Sequence, residues 1–491
     1  MGINFSRVLS LKYAYGINNY LGGKYRPVSV GRVMTCVLGM VVRREREIRA
    51  FVKQPFYRVL GEFSKAETVV SGEWHVIPGS IYEQSPYLYK DNGFTKEETA
   101  RELISKLSVP ELSKALVSKA ERKKEKKNAP LLYNLAEIQN DCSKIFKISP
   151  DKTLDVIQSL YEKKLVTYPR TDARVLSSAV AKEINKNIYG LTGYAPLAEF
   201  AKEVLDNGSY KNIANTRYTN DKLITDHYAI IPTGKGLQAL NSASKLEADV
   251  YRLIAIRFLS IFYPAAVYQK INLEIDVSSE RFFVSARELL EEGYLKVKNT
   301  FSSKDEKDRD GDEALAKGLA SLKKGDMLDV KGYSVKEGET TPPKRYTSGS
   351  MILAMENAGQ LIEDEDLRAQ IKGSGIGTSA TRAEILKKLE SINYLSINSK
   401  TQTIFPTQRG EMVYDVVDSS IRPLLNAELT ASWEKGLAYV AEGSVTSDEY
   451  MEKLSSFISR HTANVKKLNN AGMMRTKYDQ ASQYYKKTKK A

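Results

Sequence analysis

The chain has 491 residues, 42% of them hydrophobic, and a formal net charge of +14 at pH 7. This length exceeds a single compact core and predicts three or four domains, while the basic excess favours an anionic polymer as partner, although charge alone also fits a merely soluble basic protein. Two cysteines are too few for a disulfide framework or a cysteine-rich zinc site, and neither an apolar run of about 18 residues nor a signal-peptide pattern is present, so we expect a cytoplasmic protein without membrane contact.

The first 128 residues are predicted to begin with helix and to continue with strands. Residues 28–50 indicate a loop that leads into an amphipathic helix ending in a charged run. Short runs of β-branched and aromatic residues between about 55 and 80 predict strands, and Pro78-Gly79 would end the last one. The charged run 121–127 (ERKKEKK) predicts a solvated linker or the end of a helix.

The most informative segment of the chain directly follows the next predicted helix. Ser149 as N-cap and Pro150 at the first position predict its start, and two lysines close it before an extended stretch, Val-Thr-Tyr-Pro-Arg-Thr-Asp (166–172). In an extended stretch, residues two apart face the same side, so Tyr168 and Arg170 should point together. A guanidinium can stabilise a developing phenolate and hold a phosphate, so this pair suits attack on a phosphodiester. The alternative is a Tyr-Pro turn with a solvated arginine.

The remainder of the chain is predicted to be helix, strand and then helix again. A helix is predicted over 246–260, and strand-like alternation follows over 266–300. The segment TTPPKRYT (340–347) marks a boundary, after which the pattern is helical to about position 465. The basic tail, 466–491, is predicted to be disordered and able to touch DNA nonspecifically.

A polar stretch at 302–314 includes the acidic cluster Asp308, Asp310, Asp312 and Glu313. The spacing suggests a metal loop, but the EF-hand pattern requires a glutamate where Lys317 stands. We therefore favour a solvated loop and predict no metal site within this chain.

Three further motifs carry groups that suit phosphate chemistry. His227, in ITDHYAIIPT (224–233), could bind a phosphate or relay a proton, although a lone histidine is more often structural. In SVGRV (29–33), glycine permits close backbone approach while serine and arginine donate to phosphate oxygens. GIGTSATRAEI (375–385) is a glycine loop entering a helix, whose N–H groups and hydroxyls form a natural phosphate site.

These motifs occur in an order that resembles the type IA DNA topoisomerases, and most closely the bacterial topoisomerase III branch. The resemblance runs from about Gly2 to about position 465. The matching blocks are SVGRVMT (29–35), TYPRTD (167–172), ITDHYAIIPT (224–233), TTPPKRYT (340–347) with AMENAG (354–359), GIGTSATRAEI (375–385) and LTASWEKGL (429–437).

The resemblance implies a multidomain α+β fold, mostly helical, in which a β-rich hinge joins helical domains into an arch. Residues 1–54 and 346–465 would form a helical base domain with a groove for single-stranded DNA. Residues 55–128 and 266–345 would form the hinge. Residues 129–265 would form a helical lobe that carries the catalytic tyrosine.

The resemblance also assigns roles to individual residues. The implied catalytic residues are Tyr168, Arg170 and His227. The implied DNA-binding residues are Arg7, Ser29, Val30, Gly31, Arg32, Val33, Met34, Thr171, Asp172, Thr378, Ser379, Thr381 and Arg382. The chain departs from the family pattern at Met34 and Cys36, where Gln and Pro are usual, and at Ala173, where Ser is usual.

The implied activity is transient cleavage of one DNA strand through a 5′-phosphotyrosine, strand passage and religation without ATP. Its substrates would be single-stranded and negatively supercoiled DNA at the bacterial nucleoid. In the family, Mg²⁺ is bound by an N-terminal Toprim domain. Residues 1–4 correspond to a point just past that domain, so we expect the Toprim domain to be absent and a separate Toprim-containing polypeptide to be needed for full activity.

Alternatives remain at this point. The chain could be a fragment, a disrupted gene product or one half of a split enzyme, and it could be a catalytically incomplete module that only binds single-stranded DNA. A tyrosine recombinase or a rolling-circle relaxase is disfavoured, because the three histidines are scattered and form no His-x-His cluster.

Overall fold

The computed structural model describes residues 1–109, 114–300, 310–361 and 375–485. Within these ranges, helices make up most of the regular structure and the strands concentrate in one barrel. The helices are α1 (Gly2–Leu9), α2 (Tyr15–Leu21), α3 (Arg32–Ala50), α4 (Glu97–Leu107), α5 (Leu135–Ile145), α6 (Pro150–Glu162), α7 (Ser178–Lys182), α8 (Ile184–Leu191), α9 (Ala198–Asn207), α10 (Lys245–Ser260), α11 (Leu295–Asn299), α12 (Asp310–Ser321), α13 (Ser348–Glu356), α14 (Arg382–Ser391), α15 (Gln408–Asp418), α16 (Ala427–Ala441), α17 (Ser447–Lys467) and α18 (Ala471–Ser482). A π-helical turn, Ser10–Ala14, joins α1 to α2.

Six strands close into an antiparallel barrel in the order β1-β2-β5-β4-β3-β6. They are β1 (Pro55–Lys65), β2 (Thr68–His75), β3 (Lys114–Lys127), β4 (Ala266–Val277), β5 (Glu280–Glu291) and β6 (Met327–Glu339). Phe63 pairs with Val70 across β1 and β2, and Ile275 pairs with Phe282 across β4 and β5. The strands predicted near 55–80 and 266–300 are therefore present, except that Leu295–Asn299 forms helix α11. Two short strands, β7 (Leu395–Ile397) and β8 (Ile404–Pro406), form a separate hairpin.

The charged run 121–127 is part of strand β3, so the predicted linker or helix end is wrong. β3 pairs with β4 from Leu116 opposite Asp276 to Lys127 opposite Ala266. The side chains of the run are exposed. The backbone hydrogen bonds to β4 thus make residues 121–127 a strand, and their charged side chains are compatible with it because they are exposed to solvent.

Three separate hydrophobic cores organise the chain. The base core contains residues of α1–α3 and of α13 to α18. The lobe core contains residues between Ala129 and Val297. The barrel core contains Phe63, Trp74 and Phe282. We keep the predicted division into base, hinge and lobe as a proposal, which these cores support because each domain needs a core of its own.

The tail is not disordered over Ala471–Ser482, which forms α18 and corrects the prediction for 466–491. Met474 and Tyr478, four residues apart, are buried against the base core. The Tyr485 hydroxyl donates to Glu411 at 2.5 Å. The basic composition of the tail concealed this narrow apolar face. Residues 486–491 lie outside the described part of the chain.

The acidic stretch predicted as a loop is partly helical. Asp310, Asp312 and Glu313 belong to the first turns of α12, which corrects the loop prediction for these residues. Asp308 lies outside the described residues.

Candidate active site and DNA-binding surface

Helix α6 leads directly to the candidate nucleophile. The Ser149 side chain accepts a hydrogen bond from the Lys152 N–H, with Pro150 in the first turn, so the predicted helix start is confirmed. The helix ends at Glu162, and Lys164 adopts a positive φ of 61° that redirects the chain. After this turn the backbone runs without regular structure through Tyr168.

The segment 165–172 is fixed by hydrogen bonds to the segment 227–233. Thr167 N–H donates to the Ile231 carbonyl at 3.0 Å, and Thr167 Oγ1 donates to the Ala229 carbonyl at 3.0 Å. The Thr171 hydroxyl donates to the His227 carbonyl at 2.7 Å. The two motifs singled out in the sequence therefore lie side by side, although about sixty residues separate them.

This pairing places the rings of Tyr168 and His227 next to each other. Their centroids are 4.5 Å apart with planes tilted by 49°, and Tyr161 contacts Tyr168 edge-on at 5.5 Å. Tyr168 is half-buried, whereas His227 and Arg170 are exposed. An imidazole beside a phenol can exchange a proton with it or, when charged, bind a phosphate.

The two rings line a cleft of about 480 Å³. The other lining residues are Tyr161, Glu162, Lys164, Val166, Thr167, Tyr228 and Thr233. Burial raises the pKa of Tyr228. Tyr168 and His227 therefore face the same cleft.

A buried network joins the lobe to the base four residues after Tyr168. Arg382 Nη1 lies 3.0 Å from Asp172 Oδ1 and 3.8 Å from Glu356 Oε1, and the Arg382 side chain is only 1% exposed. The Asn134 amide donates to the Asp172 carbonyl at 3.1 Å and to Glu356 Oε1 at 2.7 Å. We call Asn134, Asp172, Glu356 and Arg382 the clamp.

The clamp changes the interpretation of two predicted DNA contacts. Arg382 is buried and engaged by Asp172, so in this structure it is not available to DNA, whereas Asp172 stays partly exposed. Burial raises the pKa of Glu356, although the charge of Arg382 opposes this shift. Asn134 and Glu356 were not predicted as site residues; Glu356 lies in the block AMENAG, which was the only available signal.

The glycine loop before α14 presents hydroxyls at a helix N-terminus. Gly375 has a φ of +67°, and a Cβ at this position would lie 2.3 Å from the Met355 carbonyl oxygen, so only glycine fits. Thr378 and Thr381 are exposed and Ser379 is half-buried. Thr381 Oγ1 accepts from the Thr378 N–H at 3.0 Å. Since Asp172 contacts Arg382, the first residue of α14, this loop lies beside the tyrosine segment.

The segment 29–34 lies on the base, at the start of α3. Ser29 N–H donates to the Tyr394 hydroxyl at 2.8 Å, and Val30 N–H donates to Ser6 Oγ at 2.9 Å. Arg32 pairs with Glu434 of the block LTASWEKGL at 2.6 Å.

The remaining residues of this region surround the same helix start. Gly31 is the N-cap of α3, Val33 and Met34 are half-buried, and Arg7 is exposed on α1. Among the described residues, no hydrogen bond joins residues 29–34 directly to residues 165–172. The structure therefore brings Tyr168, His227, Asp172 and the glycine loop together, whereas the hydrogen bonds of the segment 29–34 go to Ser6, Thr35, Tyr394 and Glu434.

The Mg²⁺ ion implied by the resemblance finds no fitting site in the described part of the chain. No group of three or more His, Cys, Asp or Glu side chains there is arranged to hold a metal ion. Across the same residues, every helix is too short or too polar to cross a bilayer.

Comparison with known proteins gives consistent results. The family model described as DNA topoisomerase matches residues 1–452. DNA topoisomerase 3 of Bacillus subtilis is 31% identical over 472 residues, and DNA topoisomerase 3 of Bacillus licheniformis is 30% identical over 473 residues. These alignments cover 95% and 96% of this chain but 59% of each relative, so the chain spans less than two thirds of their length.

The fold matches that of full-length topoisomerase I from Thermotoga maritima with a TM-score of 0.62 at 21% sequence identity. The match covers 94% of this chain and 67% of that protein. It confirms the predicted multidomain α+β fold. Together with the family model, which matches most of the chain, these findings show that the chain belongs to the type IA DNA topoisomerase family and is similar to its topoisomerase III members.

Proposed function

We propose that the chain is the strand-cleaving core of a type IA DNA topoisomerase, with Tyr168 as nucleophile. The single observation that carries this proposal is the contact between Tyr168 and His227 in an accessible cleft. Both residues lie in blocks that the family shares, and their rings meet because their segments are hydrogen-bonded to each other.

The proposed reaction is a pair of phosphoryl transfers. The Tyr168 oxygen bonds to a backbone phosphorus, its proton is lost, and the bond from phosphorus to the 3′-oxygen breaks, which leaves a 5′-phosphotyrosine and a protonated 3′-hydroxyl. After another strand passes through the gap, the 3′-hydroxyl attacks the same phosphorus and the tyrosine leaves. The number of phosphodiester bonds is conserved over the cycle, so ATP is not required.

Arg170 and His227 have supporting roles in this proposal. Arg170 is exposed two residues beyond Tyr168, where a guanidinium would neutralise a phosphate bidentately. His227 would take or return a proton, or hold the phosphate when charged. Thr171 orients the segment by its hydrogen bond to the His227 carbonyl.

Metal chemistry is proposed to come from outside the described residues. Because these residues offer no fitting cluster, we propose that Mg²⁺ is held by a Toprim domain outside them. The proposed substrates are single-stranded and negatively supercoiled DNA, and the proposed place of action is the nucleoid in the cytoplasm; the relatives are bacterial.

A second candidate is a module that binds single-stranded DNA without cleaving it. The observation that favours it is the same lack of a metal cluster in the described residues. The two functions differ in one product, the covalent protein–DNA adduct.

The test is to incubate the chain with an oligonucleotide labelled at its 3′ end, Mg²⁺ and a purified Toprim domain, and to separate the products on a denaturing gel. A 5′-phosphotyrosine retains the 3′ label on the protein. We expect an adduct with the wild type, none with Tyr168→Phe, and normal adduct with the matched controls Tyr161→Phe and Tyr228→Phe, which line the same cleft. Adduct formation by Tyr168→Phe refutes the assignment, and no adduct with the wild type favours the binding module.

A further inference from the structure

Two consecutive lysines, Lys163 and Lys164, follow α6 and have different surroundings. The Lys163 ammonium is bound by Glu247 of α10. Lys164 is exposed and is one of the residues that line the cleft of Tyr168. In the part of the chain that the structure describes, no hydrogen bond or ion pair engages the Lys164 ammonium. Neither the sequence motifs nor the family comparison assigns a role to this residue.

The backbone at Lys164 is left-handed, a conformation that glycine usually supplies at the end of a helix. Lys164 has a φ of 61°, and its N–H donates to the Tyr161 carbonyl at 2.8 Å. The next N–H, of Leu165, donates to the Leu160 carbonyl at 2.9 Å, which completes a Schellman turn. From the neighbouring segment, the Thr233 hydroxyl donates to the Lys164 carbonyl at 2.5 Å. These bonds fix the direction in which the Lys164 side chain leaves the backbone.

Lys147, after α5, shows what a lysine at such a position does when it only stabilises a helix end. It also has a positive φ, of 56°. Its ammonium donates to the Lys144 carbonyl at 2.7 Å and so caps its own helix. Among the described residues, Lys164 makes no such bond to α6. Helix capping by a hydrogen bond therefore explains the lysine after α5 and not the one after α6.

The carboxylate among the residues that line the cleft does not neutralise Lys164. That carboxylate belongs to Glu162, whose Oε1 accepts from the Gln158 amide at 3.0 Å, one turn back along α6. Burial raises the pKa of Tyr228, so this lining phenol is uncharged near neutral pH. The Lys164 ammonium is thus a positive charge at the cleft that is free to attract an anion.

We propose that Lys164 is a further DNA-binding residue of the cleavage reaction, whose ammonium binds a backbone phosphate of the strand held at Tyr168. A lysine is a compact cation with three donors on a flexible stem, which suits a phosphate contact that selects no base. The four residues from Lys164 to Tyr168 span at most about 14 Å, so the bound phosphate lies close to the one that is cleaved. This proposal rests on the proposed function, because its ligand is the strand that Tyr168 attacks.

The experiment compares Lys164→Gly with the matched control Lys147→Gly in the full chain, with a Toprim domain and Mg²⁺. Glycine suits the left-handed backbone at both positions, so circular dichroism melts should show both variants folded. At limiting oligo-dT, the rate of adduct formation should fall about two- to five-fold for Lys164→Gly. It should stay at the wild-type value for Lys147→Gly and for Lys164→Arg, which keeps the charge. At saturating oligo-dT all the rates should be equal, because binding and not chemistry is lost.

A second measurement identifies the phosphate. An oligonucleotide with one uncharged methylphosphonate linkage, moved along the strand, should at one position weaken binding by the wild type and leave binding by Lys164→Gly unchanged. In fluorescence anisotropy without Mg²⁺, Lys164→Gly should also lower the slope of log affinity against log salt concentration by about 0.7.

The proposal is overturned if Lys164→Gly matches the wild type in adduct rate and salt slope, or if Lys147→Gly shows an equal loss. It is also overturned if every methylphosphonate affects the wild type and Lys164→Gly alike. Absence of an adduct with the wild type counts against Tyr168 as nucleophile instead. The salt slope and the methylphosphonate series then still decide on Lys164, because neither requires cleavage.

Discussion

Breaking the clamp should loosen the lobe from the base. Asp172→Asn removes the carboxylate 3.0 Å from the buried guanidinium of Arg382 and keeps the size of the side chain. Removing one partner of a fully buried pair costs about 3–5 kcal/mol. Asp172 is 32% exposed, and Glu356 remains 3.8 Å from Arg382, so we expect about 1–3 kcal/mol.

The clamp joins the lobe to the base, so the lost free energy should favour an open state in which the lobe is detached from the base. A loss of about 1–3 kcal/mol raises the ratio of open to closed molecules roughly 5- to 150-fold. The distance between spin labels on engineered cysteines at Tyr189 of the lobe and Ser399 of the base reports this change. The native thiols of Cys36 and Cys142 will not interfere, because both are buried and burial raises the pKa of each to about 12.

The matched control breaks an ion pair that lies entirely within the lobe. Asp249 pairs with Arg252 at 2.5 Å on α10, so Asp249→Asn should leave the distance distribution unchanged. We expect a new long-distance population for Asp172→Asn alone. Identical distributions for the wild type and Asp172→Asn would show that the clamp does not hold the lobe closed.

Three further predictions concern α10, the DNA-binding surface and the glycine loop. Lys163, just after α6, and Ser159 of α6 bond Glu247 and lower its pKa from 4.5 to about 2. This carboxylate therefore stabilises the fold above pH about 4.5 and ceases to do so as pH falls toward 2. Urea melts should show Glu247→Gln less stable than the wild type at pH 7, with a difference that shrinks on acidification, and a pH-independent difference would contradict this. Arg32→Ala should weaken single-strand binding about equally across sequences and lower the slope of log affinity against log salt concentration by about one. Glu434→Ala, which removes the ion-pair partner of Arg32, should not weaken binding when both variants are measured by fluorescence anisotropy. Gly375→Ala should lower the thermal midpoint because its Cβ would lie 2.3 Å from a carbonyl oxygen, whereas Gly16→Ala, with nothing within 4 Å, should not lower it; equal midpoints would refute the steric argument.

Local signals in the sequence predicted local structure well. Ser149 and Pro150 define the start of α6 because an N-cap and a first-turn proline act within one turn of helix. The motifs around Tyr168 and His227 identified two segments that the structure places together. Their contact depends on the hydrogen bond between Thr171 and the His227 carbonyl, which no local pattern encodes.

Features that depend on distant partners could not be predicted. β3 is a strand because β4, about 150 residues away, supplies its ladder, and its charged composition pointed elsewhere. Asn134 and Glu356 meet across 222 residues, so neither indicated a site by itself. The burial of Arg382 likewise depends on distant residues, since its guanidinium pairs with Asp172 of the lobe. Its motif predicted a DNA contact, which stays a prediction.

The most direct test of the proposed chemistry is to identify the side chain that carries DNA in a trapped adduct. The full chain, a Toprim domain, Mg²⁺ and single-stranded DNA are denatured during reaction, digested with nuclease and protease, and examined by tandem mass spectrometry. The proposal predicts a nucleotide joined through its 5′-phosphate to Tyr168 in the peptide that contains residues 165–170. A phosphate on Tyr161, Tyr228 or any other side chain, or no adduct under these conditions, would contradict it.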